Sequence, residues 1–425
     1  MTRRTIQPSA CAEQLALDRR SLLLGGGAAT LSLWGGIPRA IAAGRDPRLL
    51  VVVLRGGLDG LALAAPAADP DYARLRGAQA LAASGERPGL PLDGFFLLNP
   101  AMKHLHALYQ KRQALIVHAT ATPYRQRSHF DGQDMLESGL PTVGRAESGW
   151  LNRAISGMST NGRANPKGLA MGAVVPLVIR GPAPVLSWIP QVIGMPLRES
   201  TVTRLMDLYA EADPALAKAF ADGMAIERLG SAAPAPASSS TPANGQAGPD
   251  QRFRRFIETA KVAARFMSSA DGPRIGALSY DGWDTHANEG VLAGQLANRL
   301  SGLDAAIEAF AVGMGAAWKD TVAIVVTEFG RTARINGTEG TDHGTATAAI
   351  LVGGALAGGR VIADWPGLSE RSLHEGRDLK PTRDLRTVLK GVLRDHLGIP
   401  AEALGSGVFP SSGKVVALDG LLASA

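Results

Sequence analysis

The stretch Thr321–Thr327, TVAIVVT, constrains the fold most: every residue is apolar or threonine, most are β-branched, and nothing alternates. A strand with one wet face alternates. An unbroken run needs cover on both faces, the condition of a parallel sheet between helices. Polarity then rises at once, with Glu328, Arg331, Asp342 and His343 in a glycine-rich loop that runs to Gly344. Open α/β sheets build their ligand sites at that carboxyl edge.

The same shape recurs along the chain. Leu49–Leu54 runs into the glycine-rich turn that carries Asp59, Ala114–Ala119 precedes TATPYRQRSHFD, and Ile275–Tyr280 ends in DGWDTHANE. Val174–Ile179 and Ala349–Val352 read as further strands, and helical spacing is expected over 99–113, 205–228, 253–267, 291–317 and 384–397. The reading is one α/β domain over residues 44–425. It is interrupted at about 230–250 by SAAPAPASSSTPANGQAGP, a low-complexity stretch with no face to bury.

The candidate site residues all follow strands or open helices. Asp59 is either a carboxylate ligand or the N-cap of the segment after it. Ser128, at a helix start behind Arg125 and Arg127, is either a nucleophile favoured by the helix dipole or a plain cap, since Ser128 and Asp131 approximate a capping box. Asp284 and His286 lie two apart on extended backbone and so point the same way, which suits joint ligation of a divalent metal. With Glu328, Asp342 and His343 they form a set of oxygen and nitrogen donors around a hydroxyl. Metal-assisted displacement at phosphorus or sulfur needs such a set. Zinc, manganese and calcium all tolerate these ligands. Arg125, Arg127 or Arg331 is expected to contact the anion. His104, His106 and His118 read as structural histidines, and His374 and His396 as surface or helix-end ones.

The N-terminus reads as an export signal. Arg19-Arg20 precede an apolar, glycine- and alanine-rich segment that ends near Ile37, and Ala40-Ile41-Ala42 offers a cleavage site, so residues 1–43 are expected to engage the twin-arginine translocase and be removed. The segment is shorter than the roughly 20 residues of a spanning helix, and no stable membrane span is expected after cleavage. Without residues 1–42 the formal charge of +6 drops to +3, too weak and too evenly spread to argue for nucleic acid. Cys11 is the single cysteine and lies in the signal, which removes disulfide and thiol chemistry from the expected mature form.

Together LRGGLDG, RQRSHFDGQDMLESG, GWLNRAI, WDTHANE, TEFGRT and GTDHG resemble the bacterial family called domain of unknown function 1501 (DUF1501). That family is similar in turn to the alkaline phosphatase and sulfatase superfamily. The resemblance implies an alkaline-phosphatase-like three-layer sandwich with a mostly parallel central sheet, an exported periplasmic protein, and a nucleophile with one or two divalent metals. It places Ser128 at the nucleophile, Asp59 at the first-strand aspartate, Asp284 with His286 or Asn288 on the next metal loop, and His343 at the last metal histidine. Glu328-Phe329 stands where the superfamily has Asp-His. The expected function is a metal-dependent hydrolase of phosphate or sulfate esters. The alternative is a non-catalytic periplasmic binding or assembly protein with a degenerate site, paired with a co-encoded exported partner.

Overall fold

The computed structural model describes residues 45–423 apart from 145, 159–167, 173, 189–198, 213–216, 219, 222 and 225–248. The expected export signal and the insertion at about 230–250 fall outside the described residues, except for Pro249 beside it.

A nine-stranded sheet forms the middle layer. Its strands are β1 (Arg48–Arg55), β2 (Ala114–Ala121), β3 (Gly168–Met171), β4 (Val185–Trp188), β5 (Ile275–Asp281), β6 (Thr321–Thr327), β7 (Thr347–Val352), β8 (Arg360–Ile362) and β9 (Arg383–Asp384). In space they run β8-β2-β7-β6-β1-β5-β3-β4, with β9 extending β2. Every pairing is parallel except the two made by β7, which lies antiparallel between β2 and β6. That reversal matters for the site. It brings the residues before β7, His343 among them, to the edge where the other strands end.

The apolar runs are continuous because both faces are covered. In β1, Leu50, Val52 and Leu54 pack into one core with α5 (Pro249–Ser268) and α6 (Gln295–Met314), while Leu49, Val51 and Val53 pack into the other with α4 (Trp150–Gly157) and α7 (Leu385–Asp395). Further helices include α1 (Gly60–Leu63), α2 (Lys103–Gln110) and α3 (His129–Ser138). The segment Gln295–Asp320, which contains α6, holds an 18-residue stretch of mean hydropathy 1.3 and has the length to cross a membrane, contrary to the expectation that no stretch after the N-terminal one approaches that length. In the fold it is a core helix, with Leu296, Leu300, Leu303, Ile307, Phe310 and Met314 all buried.

Two expectations about secondary structure change. Val174–Ile179 is not a strand; Leu177–Ile179 forms a 3₁₀ turn and the sheet edge is made by β3 and β4 instead. Pro176 explains this, since it has no N–H for a ladder and fixes its own φ. His396 is a helix-end residue as expected but not a surface one: it is fully buried, with Nε2 2.9 Å from the Arg48 carbonyl.

Candidate active site

Five chain segments meet at the carboxyl edge. After β1 the chain turns through Gly56 and Gly57 at φ of 122° and 81°, and a Cβ on Gly56 would lie 2.5 Å from the Asp284 amide nitrogen. Only glycine permits that turn and that approach. The close passage lets the Gly56 N–H donate to Glu328 Oε1 at 2.8 Å, tying the β1, β5 and β6 loops together.

Three histidines surround Asp284, and the partner of each Nδ1 dictates its tautomer. His129 Nδ1 is 2.8 Å from Glu328 Oε1, His286 Nδ1 3.3 Å from Asp342 Oδ1, and His343 Nδ1 2.9 Å from the Arg127 carbonyl. All three partners only accept, so each Nδ1 carries a proton and each Nε2 is left to hold either a second proton or a metal; without a metal, Asp284 and then Glu328 raise His129 to about 9 and favour its doubly protonated form. The Nε2 atoms converge: His286 and His343 are 3.0 Å apart, and Asp284 lies 3.0 Å from His286, 3.2 Å from His343 and 3.4 Å from His129. Lone pairs aimed at one another and at a carboxylate repel unless a proton or a metal ion lies among them, and a metal can take the place of such protons. The buried His129 Nε2 has no hydrogen-bond partner. Atoms held at about 2.0–2.1 Å from a tetrahedral zinc are roughly 3.3 Å apart. The donor set therefore fits a divalent metal, with His129, Asp284 and His343 as a compact group and His286 beside it.

Buried charges support the cluster. Glu328 accepts from Gly56 N, His129 Nδ1, Gln133 Nε2 and Thr327 Oγ1. Burial alone would raise its pKa, but these donors, His129 first among the side chains, hold it below the ordinary value. With its lone pairs committed, Glu328 orients the His129 ring, the carboxylate–histidine–metal arrangement. We predict that Glu328→Gln lowers metal affinity by about 10–100-fold, read by competition with a coloured chelator; unchanged affinity would contradict this role. Burial also opposes ionisation of Asp284, yet His129, His343 and Arg331 keep it ionised well below the usual carboxylate range.

The fold distributes the sequence candidates unevenly. It brings Asp284, His286 and His343 together, with Asp342 behind His286; Asn288, expected as an alternative to His286, hydrogen-bonds through its backbone alone among the described residues. It does not bring Asp59 to the cluster. Asp59 is buried, accepts from the Leu61 and Ala62 amides as the N-cap of α1, and pairs through both oxygens with the buried Arg76. Nor does Arg331 face an anion. Its side chain is wholly covered and donates to Asp284 Oδ1 (2.5 Å), Thr341 Oγ1 (3.1 Å), the Thr341 carbonyl and the Gly56 carbonyl (3.3 Å). Arg127 is engaged by Asp378 and Glu375 at 2.8 and 2.5 Å, and Arg125 by the Thr122 and Tyr124 carbonyls.

Ser128 occupies the N-cap of α3, but its hydroxyl does not cap the helix and has no hydrogen-bond partner among the described residues. The capping alternative thus has no counterpart in the structure. The Tyr124 hydroxyl accepts from the Ser128 amide (3.1 Å) and donates to Asp131 (3.2 Å), fixing the turn. Arg127, just before, sits at φ 62°, a strained value for a non-glycine residue. His129 was missed as a ligand. The signal was there, in the histidine directly after a helix-opening serine.

Glu289, behind the cluster, also escaped the sequence reading. It is fully buried, accepts from Thr285 and Thr341 at 2.8 and 3.1 Å, and is pushed up to about 8 by burial and then by the Asp59 charge. Burial drives His118 and His396 the other way, to about 4. The histidines charge first in the unfolded chain, so their contribution, complete above about 6.5, is lost as pH falls towards 4, at about 1.4 kcal/mol per pH unit each. Glu289 ionises first in the unfolded chain, so stability is lost as pH rises from about 4.5 to 8 at a similar slope. We predict a stability maximum near pH 6.5, measured by urea unfolding at pH 5, 6.5 and 8. A steady rise to pH 8 would contradict it.

Comparison with known proteins agrees with the motifs. The family model described as "Protein of unknown function (DUF1501)" matches residues 112–405, well over half of the chain. The chain belongs to the DUF1501 family. No curated protein matches this DUF1501 chain. Among solved structures it is similar to Ps i-CgsB in complex with k-i-k-neocarrahexaose (10% identity, 88% of this chain and 77% of that one, TM-score 0.38). It is also similar to the PsFucS1 sulfatase from Pseudoalteromonas sp. (13%, 90% and 74%, TM-score 0.39) and to the phosphonate monoester hydrolase of Agrobacterium radiobacter (12%, 84% and 74%, TM-score 0.34). At such values the reading of the site rests on its own geometry.

Proposed function

We propose that this DUF1501 protein is an exported, metal-dependent hydrolase of phosphate or sulfate esters. The observation that carries the reading is the convergence of three histidine Nε2 atoms on the ionised Asp284, with Ser128, next in sequence to His129, offering an unengaged hydroxyl at a helix N-terminus. A divalent cation held by His129, Asp284, His286 and His343 would supply Lewis-acid polarisation of an ester oxygen and neutralise developing charge. The chain's own residues do the rest. Ser128 Oγ forms a bond to phosphorus or sulfur as the ester oxygen departs with its electron pair and takes up the serine's proton, and water then cleaves the seryl ester, its oxygen leaving on the phosphate or sulfate and one of its protons returning to Oγ. Glu328, Asp342 and the Arg127 carbonyl hold the imidazoles in their ligating tautomers throughout. Zinc suits three imidazoles and a carboxylate better than calcium does. Export rests on Arg19-Arg20 and the apolar segment after them.

The test is turnover of p-nitrophenyl phosphate and sulfate esters by chelator-stripped protein reloaded with zinc, manganese or calcium in turn. The reading expects turnover that returns with one of these metals. Equal rates in stripped and reloaded protein, or none with any metal, would overturn it and favour a non-catalytic binding protein on the same fold.

A further inference from the structure

The neighbours of Asp284 bear on how many cations the site can hold. Two-metal hydrolases set their ions about 3.5–4 Å apart, and each ion needs its own donors on either side of a shared carboxylate. Among the described residues the carboxylates that could hold a second ion are already engaged, and the free hydroxyl of Ser128 is too few donors for it. Asp284 Oδ1 takes the buried Arg331 guanidinium at 2.5 Å. Glu328 is saturated by four donors, and Asp59 is withdrawn into its pair with Arg76.

The remaining side is apolar. Phe329 is buried against Tyr124 and Met135, and its ring lies 4.9 Å from that of His129 and 5.2 Å from that of His343. Gly57 and Gly132 lie against the same ring, since a Cβ on either would come within 3.1 Å of it. The plate is therefore fitted on three sides and offers no ligand atom. We propose that this site binds one divalent cation only, that Arg331 is the permanent second positive charge on Asp284, and that its substrates are monoanionic esters.

The substrate class follows from charge, and rests on the hydrolase reading above. One divalent cation and Arg331, set against Asp284 and Glu328, leave a single excess positive charge. At the rim, Arg127 and Arg377 are already paired with Glu375 and Asp378, and the exposed Asp342 adds a negative charge. With no more than one positive charge left to meet a substrate, a phosphate diester or sulfate ester, with one negative charge, comes nearest to this balance. A phosphate monoester dianion brings a second charge that the site does not neutralise.

Two measurements on the wild-type chain test the proposal separately from the function it deepens. Native mass spectrometry of stripped protein reloaded with zinc and dialysed against metal-free buffer should show one retained zinc per chain; two would overturn it whatever the activity. Rates on bis(p-nitrophenyl) phosphate and p-nitrophenyl sulfate should exceed kcat/KM for p-nitrophenyl phosphate by at least about tenfold. A preference for the dianion would overturn the substrate class. One zinc with no ester turned over would support the single-cation site while overturning the hydrolase reading, and the charge preference with it.

Discussion

Ser128→Ala is expected to lower ester turnover by at least about 10³-fold while retained metal stays at the wild-type level. The expectation follows from what the hydroxyl does not do: it neither caps α3 nor bonds to a neighbour, so its loss costs the fold nothing comparable to a missing cap, which is about 1 kcal/mol. Its backbone is fixed independently, by the Tyr124 hydroxyl on the Ser128 amide and by the Gly132 N–H on the Ser128 carbonyl at 2.8 Å. Single-turnover kinetics with metal content measured on the same sample separates the two effects. Turnover within tenfold of wild type would remove Ser128 as nucleophile and leave attack to water.

The second large effect is on stability. Arg76→Met should cost about 3–5 kcal/mol, because it strands the buried Asp59 carboxylate beside Glu289 with no counter-charge. A two-residue replacement, Asp59→Asn with Arg76→Met, should recover much of the loss, since it removes the stranded charge and not one partner alone. Urea midpoints of the two variants measure both terms. A midpoint for Arg76→Met indistinguishable from wild type would show that the pair does not hold the first loop in place.

These two residues mark where reading from sequence succeeded and where it stopped. The strands were legible because a sheet covered on both faces demands unbroken β-branched runs, and β1, β2, β5 and β6 carry them. Asp284 and His286 were legible because they follow a strand end, where the fold must expose side chains. Asp59 follows a strand end too, and the same rule misplaces it. Its partner Arg76 is 17 residues on in a surface-like sequence, and nothing local says that this arginine is buried. Whether the Glu328 carboxylate ligates or orients depends on the four donors that surround it, which no local sequence signal shows. The antiparallel β7, which carries His343 back to the shared edge, is likewise a matter of topology that spacing does not encode.

The central claim is that His129, Asp284, His286 and His343 hold one cation. Anomalous diffraction from a zinc-loaded crystal tests it most directly. The account predicts a single peak per chain, about 2.0–2.2 Å from Asp284 and from the Nε2 atoms around it. A peak liganded by Asp59 or Glu328, a second peak beside Phe329, or no peak among the three histidines would contradict it.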